Sequence, residues 1–151
     1  MSFNALPDTA STATITGDGW YPDLAVAEFQ SVYRLPAEFA EALVIDHLTL
    51  AMMWAARQLA SWRAEREAEG MAALADIPYA GLSGGAVLVW KRAVYCHAKA
   101  LLLGQFATMD RREAARNEAK EAPETADRYL AWAHDAIADL LGNGRIAVEL
   151  V

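Results

Sequence analysis

The sequence has almost no cysteine, little positive charge and no long hydrophobic run, and each shortage excludes something. Cys96 is the only cysteine in 151 residues, so no intrachain disulfide can brace the fold. A lone thiol among apolar neighbours reads as a buried, reduced one. Thirteen Lys and Arg stand against 20 Asp and Glu, a formal net charge of −7. Clamping nucleic acid needs Lys and Arg gathered on one face to meet phosphates, and so acidic a chain is poorly supplied for it. The most apolar stretch, residues 48–56, is far too short to cross a bilayer, so no membrane partner is expected. Residues 1–19 carry neither a positive charge nor a long apolar run. They read as neither a secretory signal nor a transit peptide, and synthesis and work in a cytoplasm are expected.

The residue patterns of catalysis are also missing. Gly81-Leu82-Ser83-Gly84-Gly85 is glycine-rich, but no Lys-Ser or Lys-Thr follows it, so it reads as a flexible turn and not a phosphate loop. The histidines are His47, His97 and His134, and no two stand at the i, i+3 or i+4 spacing of a helical metal site. Asp46-His47, His134-Asp135 and Cys96-His97 are adjacent pairs, whose side chains diverge by about 100° on a helix. Metal phosphohydrolases use a His-Asp dipeptide but need a further Asp well downstream, and only 16 residues follow Asp135. Asp135 and Asp139 share a helix face, where carboxylates are usually just solvated. The expectation is a protein with no catalytic residue, no cofactor and no metal.

What the sequence does contain is helical periodicity. Ala and Leu are abundant, and β-branched residues come in short runs. A short helix is predicted over residues 24–33, capped by Asp23 and broken by Pro36. A long one follows over about 37–69, where Val44, Leu48, Ala51, Ala55, Leu59 and Trp62 form one stripe and Asp46, Thr49 and Arg57 face away. Gly70 stops it, and residues 71–78 form an apolar connector. A second long helix covers about 86–107, with Val87, Val94 and Leu101 in line, Trp90, Ala98 and Leu102 beside them, and Lys91, Arg92 and Lys99 on another face. Residues 110–121 hold no large apolar side chain and can be helical only through charge pairs. Pro123 opens a last helix to about Leu141, striped by Tyr129, Ala133, Ala136 and Leu140.

The fold class predicted is therefore all-α: a small bundle of four to five helices with extended ends. It divides into a flexible arm at 1–19, a helical domain at 20–142 and an extended docking tail at 143–151. In the tail, Ile146, Val148 and Leu150 alternate with Ala147, Glu149 and Val151, a strand-like strip with no strand partner of its own. Packing back on the chain's own helices is the alternative. Four of the five tryptophans lie on predicted helices and read as core or subunit contact. Trp20, beside Tyr21 and Pro22 at the edge of the arm, is either a staple onto the core or an anchor on a partner. The candidate interface residues are Trp20, Tyr21 and Pro22; Arg111, Arg112, Arg116 and Glu118 of the polar segment; and Ile146, Val148, Leu150 and Val151 of the tail.

Four stretches, in order, carry a resemblance. They are Gly17-Asp18-Gly19-Trp20-Tyr21-Pro22-Asp23-Leu24 with Glu28-Phe29 and Tyr33-Arg34-Leu35; Ala73-Leu74-Ala75-Asp76-Ile77-Pro78; Val87-Leu88-Val89 through Arg92-Ala93-Val94-Tyr95-Cys96 and Ala98-Lys99-Ala100; and Ala131-Trp132-Ala133 with Ile137-Ala138-Asp139-Leu140-Leu141-Gly142, closing on Val148-Glu149-Leu150-Val151. From about residue 17 onward the chain resembles the phage head completion family of the GPL type. His97 stands where that pattern leads one to expect an apolar residue, and the loop from Pro78 to Val87 is richer in glycine. The resemblance implies a structural virion protein that acts after the genome is packaged. Such a protein stabilises the filled head against nuclease and resembles the head-to-tail connectors of tailed phages. Its implied partners are the portal protein, neighbouring copies in a dodecameric ring, and the next neck or tail-terminator protein. Packaged DNA would pass the acidic channel without sequence-specific binding. The implied place is the neck at the portal vertex, after assembly in the host cytoplasm. The competing expectation is a small cytoplasmic helical adaptor that binds a host partner.

Overall fold

The apolar stripes decide the architecture. In a computed structural model that describes residues 10–36, 39–110 and 125–143, the protein is mostly helical, with one two-stranded ribbon. The ribbon pairs β1 (Thr14–Ile15) with β2 (Leu24–Ala25), antiparallel, Thr14 opposite Ala25. Then come α1 (Val26–Val32), α2 (Glu41–Gln58), α3 (Ala60–Ala68), a single 3-10 turn (Leu74–Asp76), α4 (Gly85–Asp110) and α5 (Ala126–Leu140). The long α4 is central, with its most extensive packing against α5 and then α2. Its Trp90, Ala93, Val94, Cys96, Ala98 and Leu102 are buried. They meet Val44, Leu48, Ala51 and Ala55 of α2, and Tyr129, Ala133, Ala136, Ile137 and Leu140 of α5, in one core.

Several expected boundaries move, each for a local reason. The helix expected over 37–69 is two helices. It starts at Glu41 because Phe39 is buried and Ala40 is extended (φ −56°, ψ 136°). It is interrupted at Leu59 (φ −99°, ψ 6°), whose side chain is fully buried. The first helix begins at Val26 and not at 24, because Leu24 and Ala25 belong to the ribbon. Asp23 does not cap it; its carboxylate accepts from the Gly17 N–H at 2.8 Å. Nor does Pro36 end it. Leu35 N–H donates to Gln30 O at 3.1 Å and Arg34 N–H to Ser31 O at 3.4 Å, the paired bonds of a Schellman closure. The last helix starts at Ala126, capped by the Thr125 hydroxyl, and not at Pro123. The glycine-rich turn is tightly closed. Tyr79 and Leu82 exchange backbone bonds of 3.1 and 2.9 Å around Ala80 and Gly81, both at positive φ. Gly85 must be glycine, since a Cβ there would lie 2.8 Å from the Tyr79 carbonyl oxygen.

Residues 10–19, assigned from sequence to a free arm, lie against the helical body. Ala13 and Ile15 pack on the core, and Val26 N–H donates to Ala13 O at 3.1 Å. Beyond β1, the Asp18 carboxylate accepts from the N–H groups of Trp20 (3.0 Å) and Tyr21 (2.9 Å). Its other oxygen takes the Arg63 guanidinium of α3, which also pairs with Glu67. The same guanidinium lies 4.9 Å from the Trp20 ring centre and 5.3 Å from that of Tyr21. Trp20 meets Trp62 edge-on at 6.0 Å, and Tyr21 stacks on Trp90 at 5.3 Å. Gly17 lets the strap close, because a Cβ would fall 2.2 Å from the Tyr21 carbonyl oxygen.

Partial burial pushes the Asp18 carboxyl up, but the Arg63 hydrogen bond and the two backbone N–H groups outweigh it and hold it below its ordinary value. A depressed carboxylate stabilises the fold fully above its unfolded pKa, about 3.9, and loses that contribution as pH falls through the folded value. Because the Asp18 carboxylate is half exposed and its ion pair screened, Asp18→Ala is expected to cost about 0.5–1 kcal/mol in urea unfolding at pH 7. The gap from wild type should narrow steadily below about pH 4. An undiminished gap at about pH 2 would show that charge is not its source.

Candidate functional site

The interface residues expected from the sequence separate into three groups. Trp20 and Tyr21 are 5% and 6% exposed and are bound up in the strap as staples on the core. Pro22 beside them is half-buried. Arg111, Arg112, Arg116 and Glu118, like Ile146, Val148, Leu150 and Val151, lie outside the described residues. His97 and His134 both pack on the Trp54 ring, while His47 bonds the Leu43 carbonyl one turn back. Among the described residues no group of His, Cys, Asp and Glu could hold a metal ion. His97, where an apolar residue was expected, works as a flat ring: it stacks on Trp54 at 4.0 Å and 5°. Burial, and then His134 and Arg57, hold its pKa below the ordinary value, so the neutral ring is favoured.

What the fold does bring together is a basic cleft of about 550 Å³. The end of α1 supplies Val32, Tyr33 and Arg34, α4 supplies Arg92, Cys96 and Lys99, and α5 supplies Tyr129 and Trp132. Arg92, Cys96 and Lys99 are four and three residues apart, hence on one face of α4. Lys99 forms the floor and is only 8% exposed. Its ammonium donates to the Tyr33 carbonyl at 2.7 Å and to the Tyr129 hydroxyl at 2.9 Å. It also sits 4.4 Å from the Tyr129 ring centre. The Cys96 thiol donates to the Tyr33 hydroxyl at 3.7 Å, and burial pushes its pKa up, so it stays a thiol. At the rim, the Arg92 and Arg128 guanidinium carbons stand 5.5 and 6.0 Å from the Trp132 ring. Among the described residues, no carboxylate lines the cleft. Arg34, Arg92 and Arg128 form no ion pair with a described residue.

An apolar shelf adjoins it. The two hollows share Val32, Tyr33 and Arg92, and the shelf adds Leu88 and Val89. Val32 and Leu88, 65% and 68% exposed, line it together. The charges on the shelf cancel, because Glu28 pairs with Lys91 at 3.0 Å and accepts the Tyr95 hydroxyl proton at 2.6 Å. The Tyr95 bond, with Lys91, holds the Glu28 carboxyl below its usual range despite partial burial.

The sequence put Lys91, Arg92 and Lys99 on one polar face, yet each does something different. Lys91 is paired, Arg92 lies over an indole and Lys99 is buried. A small apolar residue, Cys96, one turn from both Arg92 and Lys99 was the available sign of a face that turns inward.

The described part is a small, mostly helical body with a basic cleft and an exposed apolar shelf on its surface. Residues 15–151 match the phage head completion protein (GPL) family, and the chain belongs to that family. It is similar to the probable head completion/stabilization protein of Haemophilus phage HP1 (strain HP1c1), with 28% identity over 151 residues and 99% of each chain covered. No solved structure matches it. The family is one of structural head proteins and not of enzymes, and this chain is a structural, virion-associated protein with a role in completing the phage head. No helix among the described residues is long and apolar enough to cross a membrane.

Arg34 carries a cost that glycine would not. It closes the Schellman motif at φ 47°, a left-handed conformation disfavoured by about 1 kcal/mol or more for a residue with a Cβ. Arg34→Gly is expected to raise thermal or urea stability by roughly 0.5–1 kcal/mol. A loss of stability would mean that the arginine side chain supports the fold by more than its backbone strain costs.

Proposed function

We propose that the protein docks on the portal after DNA packaging, stabilises the filled head against DNA loss and nuclease, and offers the site for the next neck or tail component. The family match over residues 15–151 carries this reading. The HP1 relative, named for head completion and stabilization, supports it over the full length. Neighbouring copies would form a ring at the neck, through surfaces such as the exposed Leu50 and Met53 of α2 and Leu88 of α4. The polar segment with Arg111, Arg112, Arg116 and Glu118, and the tail with Ile146, Val148, Leu150 and Val151, are the parts assigned to portal and ring contact. The net charge of −7 suits a channel wall from which DNA is repelled.

Deleting the gene in its phage tests the reading. Heads should fill with DNA, lose it to added nuclease and fail to join tails. Heads that mature and join tails normally would remove the head-completion role. Hydrogen exchange tests the two assigned segments separately. Amides of residues 111–118 and 146–151 should exchange at least about tenfold more slowly in the particle than in the free protein. Equal protection in both would exclude those segments from the contact.

A further inference from the structure

The basic cleft is an exception in this chain, and its chemistry is specific. Arg34 and Arg92 line it with the buried Lys99, Arg92 and Arg128 flank Trp132, none of the three arginines has an ion-pair partner among the described residues, and no described carboxylate is in the lining. Arg34 is held there in a strained backbone conformation (φ 47°). An anion is the natural occupant, because guanidinium groups bind planar, two-oxygen anions with paired hydrogen bonds. Two features decide which anion. The cations gather at one open hollow of about 550 Å³, room for a few side chains and not the stripe that tracks a nucleic-acid backbone. The hollow also runs into the shelf of Val32, Leu88 and Val89, which a phosphodiester or a free ion would leave unused and an aliphatic side chain would cover.

From this charge and shape complementarity we infer that the cleft receives an acidic peptide segment of a partner protein. A Glu or Asp carboxylate sits between Arg34 and Arg92, over the Lys99 floor, and a neighbouring aliphatic residue lies on Val32 and Leu88. The inference adds the chemistry of one docking surface to the head-completion role. It stands or falls without the phage phenotype, since it is read on the purified protein.

The test titrates the full-length, isotope-labelled protein with a capped octapeptide of alternating leucine and glutamate, at low ionic strength, following the Trp132 indole and arginine side-chain resonances. Saturable shifts are expected at Trp132 and Arg92. The peptide with glutamine in place of glutamate should bind at least about tenfold more weakly, as should the Arg92→Glu protein. Arg34→Gly, which should fold at least as stably as wild type, should also weaken binding several-fold. That variant keeps the test valid if Arg92→Glu folds poorly. No saturable shift, or equal binding of the glutamine peptide, overturns the inference. So does tighter binding of a single-stranded DNA 8-mer with the same dependence on Arg34 and Arg92, which would make the cleft a phosphate site.

Discussion

A buried ammonium must find oxygen or π-electrons, and Lys99 finds both on two different elements. Its bond to the Tyr33 carbonyl holds the C-terminal end of α1 against α4, and its contact with Tyr129 holds the start of α5 there too. These three elements meet at one point because the amine leaves little choice. The Tyr33 carbonyl is available because the chain turns through a Schellman closure just beyond it. That closure in turn puts Arg34 at the mouth of the same hollow. The shape of the cleft and the cohesion of the helices therefore have a common origin, so a change at Lys99 could not alter one without the other.

The opposite side of α4 is organised by a second cation. Arg63 ties Asp18, Trp20 and Tyr21 to α3, and Tyr21 carries the connection inward to Trp90. The 3-10 turn joins in through Leu74, whose N–H donates to the Trp20 carbonyl at 2.9 Å. Its own geometry is fixed by Asp76, which accepts from the Ala73 N–H at 3.0 Å. Two of the motifs that carry the family resemblance, 17–24 and 73–78, are thus one physical unit. The first supplies aromatic rings on a glycine-dependent turn, and the second covers them. The break at Leu59 belongs to this unit as well, because α3 turns at that point and carries both Trp62 and Arg63 to the strap.

Periodicity made the helical part of the fold legible. Stripes at three- and four-residue spacing predicted the buried faces of α2 and α5 almost residue by residue, since burial of an amphipathic face is what makes such helices form. Boundaries and ends were less accessible, because they depend on partners far away in sequence. Leu24 and Ala25 are strand only because Thr14 and Ile15 lie beside them. Trp20 left two readings open, and only the position of Arg63, 43 residues on, decides for the core. The candidate site was the least legible. A polar stripe on α4 looks solvated until α1 and α5 are laid over it. The cost of burying Lys99 is met by a backbone carbonyl and a phenol, neither of which leaves a trace in residue spacing.

Charge segregation is the remaining constraint. With Arg34, Arg92, Lys99 and Arg128 gathered around one cleft, nine bases are left to balance 20 acids over the rest of the chain. Such a surface repels a nucleic acid nearly everywhere, and repulsion from a channel wall is compatible with DNA passage in a way that adhesion is not. Under the proposed channel role, cations that hold protein partners would have to be kept off that wall. Lys99 lies buried beneath the cleft, while Arg34, Arg92 and Arg128 stand exposed around it and beside an apolar shelf. Clustering concentrates their field at one place, and the neighbouring shelf favours ligands that bring aliphatic surface along with their carboxylates. Under the proposed neck role, the acidic balance and the basic cleft would serve one requirement, that the same small protein adhere to protein and let DNA slide past.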